Sequence, residues 1–234
     1  MVFKCALLAL GALAAVPLAH ASWLTARIMP LGASITHGSG SSAGNGYRDD
    51  LYNLLANDGM VVNMVGSQKG GTFHDPDNEG YPGAILSEIH DKGQAAMPVQ
   101  RPNIVTILAG TNDMVFKKDL SGAPDRLGWI IEDILDWPWD TLVVVSSLPP
   151  NANPEANALI DVYNAAIPDV VKRFTDVGRW VVFVDSHAVV GLEDLVDGTH
   201  PNDAAYARMG KVFYDGIKYG ESRGWISGVY GPAP

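Results

Sequence analysis

Five residues spread over most of the chain are of the types that acyl transfer needs: Ser34, Gly83, Asn112, Asp197 and His200. A serine hydroxyl is a weak nucleophile until a neighbouring base takes its proton, and imidazole suits that role near neutral pH. His200 is the candidate base. Asp197 stands three residues earlier, in Asp197-Gly198-Thr199-His200-Pro201. There its carboxylate can accept the other ring N–H, fix the tautomer and stabilise the imidazolium. A tetrahedral intermediate also needs donors aimed at its oxyanion. The backbone N–H groups of Ser34 and Gly83 and the side-chain amide of Asn112 are the candidate oxyanion hole, one such donor being worth about 10²–10³ in rate. Each residue alone has a plainer reading. Ser34 could cap a helix, Asn112-Asp113 could form an Asx turn, and Asp197 and His200 could pack a turn before Pro201. Asp113 is read as structural and left out of the site.

The elements that must position these side chains alternate β-rich runs with helical patterns. Arg27 to Leu31, Met60 to Val65, Asn103 to Leu108, Thr141 to Val145 and Trp180 to Val184 are nearly continuous in apolar residues, as strands buried on two sides must be. Helical periodicity begins at Tyr47, with Leu51, Leu54 and Leu55 on one stripe, and recurs over 84–96, 124–136, 154–175 and 202–219. Pro201-Asn202-Asp203 is a start signal for the last. The pattern predicts a three-layer α/β sandwich, a five-stranded parallel sheet with helices on both faces. Ligands in such sheets bind beyond the carboxyl ends of the strands. Ser34 follows the first strand, Gly83 the second, Asn112 the third, and Asp197 and His200 the fifth. All five converge on one edge.

These blocks also carry a family resemblance. Gly32-Ala33-Ser34-Ile35-Thr36, Gly83 in its loop, Gly110-Thr111-Asn112-Asp113 and Asp197-x-x-His200 resemble, in order, the four blocks of the SGNH (GDSL-type) hydrolases. The likeness runs from residue 32 to residue 200. Met29-Pro30-Leu31-Gly32, Val65-Gly66-Ser67 and Glu79-Gly80-Tyr81-Pro82-Gly83 are similar to carbohydrate esterase family three. The resemblance implies the flavodoxin-like fold of that superfamily and a secreted acetylesterase acting on acetylated xylan. One departure stands out: Ala33 occupies the position where the family block has Asp. The family Asp braces neighbouring loops and takes no part in the triad, so its loss bears on loop rigidity more than on catalysis.

Composition narrows the alternatives. The 234 residues include 26 Asp and Glu against 16 Lys and Arg, a formal charge of −10, with 47% apolar and 18% charged residues. That balance excludes a disordered chain, and the acidity argues against nucleic-acid binding. Lys4, the apolar run Ala6 to Leu18 and Ala19-His20-Ala21 predict a cleaved signal peptide over 1–21, leaving 22–234 as one secreted, extracellular domain without stable membrane association. The only cysteine, Cys5, would leave with it, which removes cysteine nucleophiles and Cys-ligated zinc from consideration. The predicted mechanism needs neither metal nor organic cofactor. The expected partner is a small-molecule or polysaccharide ester, and the protein is read as a monomer. Two rivals stand beside this reading: a GDSL-type lipase or lysophospholipase, and a catalytically silent carbohydrate-binding protein of the same fold. No amphipathic lid is evident for the first. The loop residues His37 and His74 are candidates for substrate contact; Asp75, Asp77 and Glu79, lacking the full EF-hand pattern for calcium, read as a solvated acidic loop; and Trp129, Trp137 and Trp139 read as packing residues by default, with sugar stacking the alternative for any that are exposed.

Overall fold

The computed structural model describes residues 24–228. The expected signal peptide, 1–21, lies outside the described residues. The strands are β1 (Thr25–Gly32), β2 (Val61–Met64), β3 (Gln68–Lys69), β4 (Asp77–Gly80), β5 (Ile104–Leu108), β6 (Leu142–Ser146) and β7 (Val181–Val184). The helices are α1 (Ser34–His37), α2 (Tyr47–Asn57), α3 (Leu86–Gln100), α4 (Thr111–Phe116), α5 (Ala123–Leu135), α6 (Pro154–Thr175) and α7 (Asp203–Ser222), with three short 3₁₀ turns between them.

Five strands form the expected parallel core in the order β2-β1-β5-β6-β7. Every residue of β5 and β6 is buried, and full burial of one such aliphatic side chain contributes about 1.5–3 kcal/mol. Helices α2 and α7 cover one face; α3, α5 and α6 cover the other. The sheet nevertheless has seven strands rather than five, and it is mixed rather than wholly parallel. The additions, β3 and β4, pair antiparallel with each other, and β4 pairs parallel with the end of β1. Their sequences, Gln-Lys and Asp-Asn-Glu-Gly, offer no apolar alternation to mark them as strands.

This addition changes the neighbour of β1 partway along its length. Residues Thr25–Ile28 pair with β2, and Leu31–Gly32 pair with β4 on the same edge. The switch falls at Met29-Pro30, and a proline, which lacks an N–H, fits a stretch with no partner on that edge. Two helix starts are capped by side chains. Asn153 accepts from the Glu155 and Ala156 N–H groups at 3.0 and 3.2 Å, and Asn202 accepts from Ala205 at 2.9 Å. The second cap holds the start of α7 just beyond His200.

Candidate active site

Strand β1 delivers Ser34 directly into α1, a helix of four residues whose first member is Ser34 itself. The first N–H groups of a helix have no partner within it. Among the described residues, the Ser34 N–H donates to no protein acceptor, and neither does that of Gly83. Gly83 has φ +85°, a backbone state that favours glycine, and a side chain added there would enter open space. Both backbone groups therefore keep their donor capacity for a ligand.

The three side chains chosen for nucleophilic chemistry meet. His200 Nε2 lies 2.8 Å from Ser34 Oγ, and His200 Nδ1 lies 2.7 Å from Asp197 Oδ2. The other Asp197 oxygen accepts the Thr199 and His200 backbone N–H groups at 3.0 and 2.9 Å. Partial burial disfavours ionisation of Asp197, but the bonds from the His200 ring and those two N–H groups outweigh it and hold the carboxyl below its usual range. With Nδ1 donating to that carboxylate, Nε2 faces Ser34 as the proton acceptor.

The loop carrying His200 is fixed from several sides. Val196 N–H donates to the His200 carbonyl at 2.9 Å, and Asn202 N–H to the Asp194 carbonyl at 2.8 Å. Ala152 N–H donates to the Gly198 carbonyl at 2.8 Å, and Asn151 donates to the Thr199 hydroxyl at 3.0 Å. The loop after α1 backs the imidazole at Gly40, where an added Cβ would come within 2.6 Å of the His200 Cβ.

Asn112 lies in the first turn of α4, and its Nδ2 donates to the Ala84 carbonyl at 2.8 Å. One amide hydrogen is thus engaged and the other is left for a ligand. Asp113 is buried beside it and is structural, as expected. Its carboxylate accepts the Leu86 N–H at 2.9 Å and Arg126 at 3.1 Å, a tie between α4 and the start of α3 rather than a local turn. Burial pushes this carboxyl up, against the pull of Leu86 and Arg126.

Several bracing residues escaped the sequence reading. Arg48 is fully buried, donating through Nη1 to the Pro76 carbonyl at 2.9 Å and through Nη2 to those of His37 (2.8 Å), Gly44 (3.1 Å) and Gly70 (2.8 Å). It binds the end of α1 to two loops. Ala33 is buried and packs within the core. The helical period did carry a signal, since Arg48 falls on the same stripe as Leu51 and Leu55. Glu79, expected in a solvated loop, is buried. It accepts the Ser67 N–H at 2.6 Å, the Ser67 hydroxyl at 3.0 Å and the Tyr81 hydroxyl at 2.5 Å. Asp75 instead accepts the Met64 N–H at 2.7 Å and Asp77 pairs with Lys69, so the acidic residues do not converge on one point. His74 stands edge-on to Tyr52 with centroids 4.4 Å apart. The His37 carbonyl serves Arg48, and burial together with that positive charge pushes its imidazole down.

Comparison with known proteins identifies the family of the chain. Residues 31–208 match the GDSL-like Lipase/Acylhydrolase family. A "Multidomain esterase" of Ruminococcus flavefaciens is 27% identical over 238 residues, covering 89% of this chain; the chain spans 30% of that relative's length. The structure of a Clostridium thermocellum family 3 carbohydrate esterase superposes with a TM-score of 0.77 at 28% identity, covering 87% of this chain and all of that one. A carbohydrate esterase family 3 structure from Talaromyces cellulolyticus gives 0.72 at 22% identity, covering 82% of this chain and 96% of the other, a likeness of fold. The chain belongs to the GDSL-like lipase/acylhydrolase family and is a carboxylic ester hydrolase.

Proposed function

We propose that the protein is a secreted serine esterase that removes acetyl groups from plant-cell-wall polysaccharide such as acetylated xylan, through an acyl-serine intermediate. The observation that carries the mechanism is the unbroken hydrogen-bonded series Ser34 Oγ, His200 Nε2, His200 Nδ1, Asp197 Oδ2. Ser34 Oγ attacks the ester carbonyl carbon as its proton passes to His200 Nε2. The oxyanion so formed accepts hydrogen bonds from the Ser34 and Gly83 N–H groups and from the Asn112 amide. Collapse of the intermediate breaks the C–O bond to the alcohol, which leaves with the proton from His200. Water, deprotonated by His200, then attacks the acyl-Ser34 carbonyl, and acetate departs as Ser34 regains its proton. Asp197 remains ionised and stabilises the imidazolium at each transfer.

The substrate class draws support from the family 3 carbohydrate esterase that superposes on the chain at 28% identity. No helix among the described residues is long and apolar enough to cross a membrane, in keeping with an enzyme that meets its polymer outside the cell. The test compares p-nitrophenyl acetate with p-nitrophenyl decanoate, followed by acetate release from acetylated xylan. The reading expects turnover of the acetyl ester well above the decanoyl ester, and acetate release from the polymer. A preference for decanoate would assign the protein to lipid esters instead.

A further inference from the structure

Four of the six tryptophans, Trp129, Trp137, Trp139 and Trp180, line one surface around the starts of β6 and β7. The Ser34 site lies beyond the opposite ends of the parallel strands, so the two surfaces are separated by the length of the sheet. A groove of about 280 Å³ runs between Trp137, Trp139 and Trp180, floored by Thr141 and edged by Asp140 and Arg179. A second, of about 400 Å³, continues from Arg179 past Asp136 to Trp129. Trp137 and Trp139 stack with centroids 5.3 Å apart and planes 27° apart. The Trp139 indole is anchored by its N–H to the Pro102 carbonyl at 3.1 Å, which fixes the stack. Trp129 is 55% exposed although it sits in α5 beside core residues.

We propose that this surface is a second carbohydrate site, taking a neutral β-1,4-linked pyranose chain of the xylan type and holding the enzyme on its polymer. The ligand's chemistry follows from the lining. A pyranose ring presents a C–H face to an indole and hydroxyls at its rim, and rigid tryptophans supply such apolar area with little ordering cost. Among the described residues, the indole N–H groups of Trp129, Trp137 and Trp180 have no protein acceptor, so they can donate to hydroxyls. Both arginines of the surface are already paired, Arg173 with Asp125 at 3.2 Å and Arg179 with Asp136 at 2.9 Å. Glu132 and Asp140 have no cationic partner among the described residues and can accept from hydroxyls. That excess of carboxylates disfavours an anionic ligand. It also disfavours a second copy of the chain, because a two-fold contact would set the same carboxylates against each other. The assignment of xylan rests on the polysaccharide esterase reading above.

The experiment uses insoluble deacetylated xylan, on which no ester remains to be cleaved. Wild type and Ser34→Ala should be depleted from solution equally. Trp129→Ala and Trp137→Ala should each bind about tenfold more weakly, with turnover of p-nitrophenyl acetate unchanged. On polymeric acetylated xylan the same variants should raise KM and leave kcat alone. Trp129→Ala removes an exposed ring and keeps the test valid if Trp137→Ala destabilises the fold. Absence of xylan binding by the wild type, or binding as tight as wild type by folded Trp129→Ala and Trp137→Ala, would overturn the proposal. So would a wild-type dimer in sedimentation that these variants dissolve without any xylan binding. Failure of the esterase reading would show separately, as p-nitrophenyl acetate turnover that does not depend on Ser34.

Discussion

Asn112 donates its side-chain N–H to the carbonyl of Ala84, 2.8 Å away and 28 residues earlier. Ala84 follows Gly83, so the amide proposed as one oxyanion donor also holds the loop that presents another proposed donor. The Asp113 carboxylate seconds this by accepting the Leu86 N–H two residues further on. Two of the proposed oxyanion donors are therefore coupled through the backbone between Gly83 and Leu86.

Asn112→Ala removes a donor and the anchor of its neighbour together. Its kcat for p-nitrophenyl acetate should fall at the upper end of the about 10²–10³-fold range for a single donor, with KM little changed. Steady-state kinetics on the folded variant checks this, and a loss below about tenfold would contradict the coupling.

Asp197→Asn keeps the shape of the site but inverts the donor and acceptor demand on His200 Nδ1. A buried triad carboxylate lost in this way costs on the order of 10⁴ in kcat. The Asp197 side chain is 54% exposed, so water can solvate part of the imidazolium and the loss should be nearer about 10³. Kinetics at fixed pH, with melting curves to verify the fold, measures it.

Arg48→Met should be among the most damaging changes away from the site. It leaves the Pro76, His37, Gly44 and Gly70 carbonyls without their donor around a fully buried position, the Gly70 carbonyl itself being buried. Each buried acceptor left unpaired costs about 1–3 kcal/mol, so a loss of at least about 3 kcal/mol is expected in chemical denaturation. Arg48→Lys should recover only part of this, because one ammonium cannot reach the carbonyls that Nη1 and Nη2 serve separately.

The pH dependence of stability should carry the mark of His37. Burial, and then the charge of Arg48, lower its folded pKa beneath the usual 6.5. The unfolded chain therefore binds the proton first as pH falls. The contribution of His37 is fully present above the unfolded value and is lost as pH drops through the folded one. Asp197 acts in a lower window: its depressed pKa stabilises the fold above the usual value of 3.8 and is lost as pH falls through the folded value. His37→Gln should flatten the decline in Tm just below pH 6.5 and leave the fall at lower pH in place.

Much of this architecture was legible because its signals were chemical or periodic. Ile104–Leu108 and Leu142–Ser146 are apolar on both faces, and two-sided burial is what the sheet centre gives them. Ser34, Gly83 and Asn112 stand just after strands, and Asp197 and His200 lie on the connection from β7 to α7, which directs all five to one edge. The strands β3 and β4 were not legible: β3 is two polar residues at the sheet edge, and the polar Asn78 and Glu79 of β4 are satisfied inside the fold. Asn78 serves the Gly80 N–H at 2.8 Å and Glu79 serves Ser67. Neither partner could be inferred from residue type. Arg48 was half legible: its place on the apolar stripe of α2 was readable, but the four carbonyls that receive it come from segments whose paths depend on the whole fold.

The measurement that tests the central claim most directly is hydrolysis of p-nitrophenyl acetate by Ser34→Ala beside the wild type, with matched melting curves. The change removes only Oγ from a half-buried side chain in a four-residue helix, so Tm should move little. Loss of a serine nucleophile should lower kcat by on the order of 10⁶. A folded Ser34→Ala protein that turns the ester over at a rate near wild type would contradict the acyl-serine mechanism and move the chemistry to another residue.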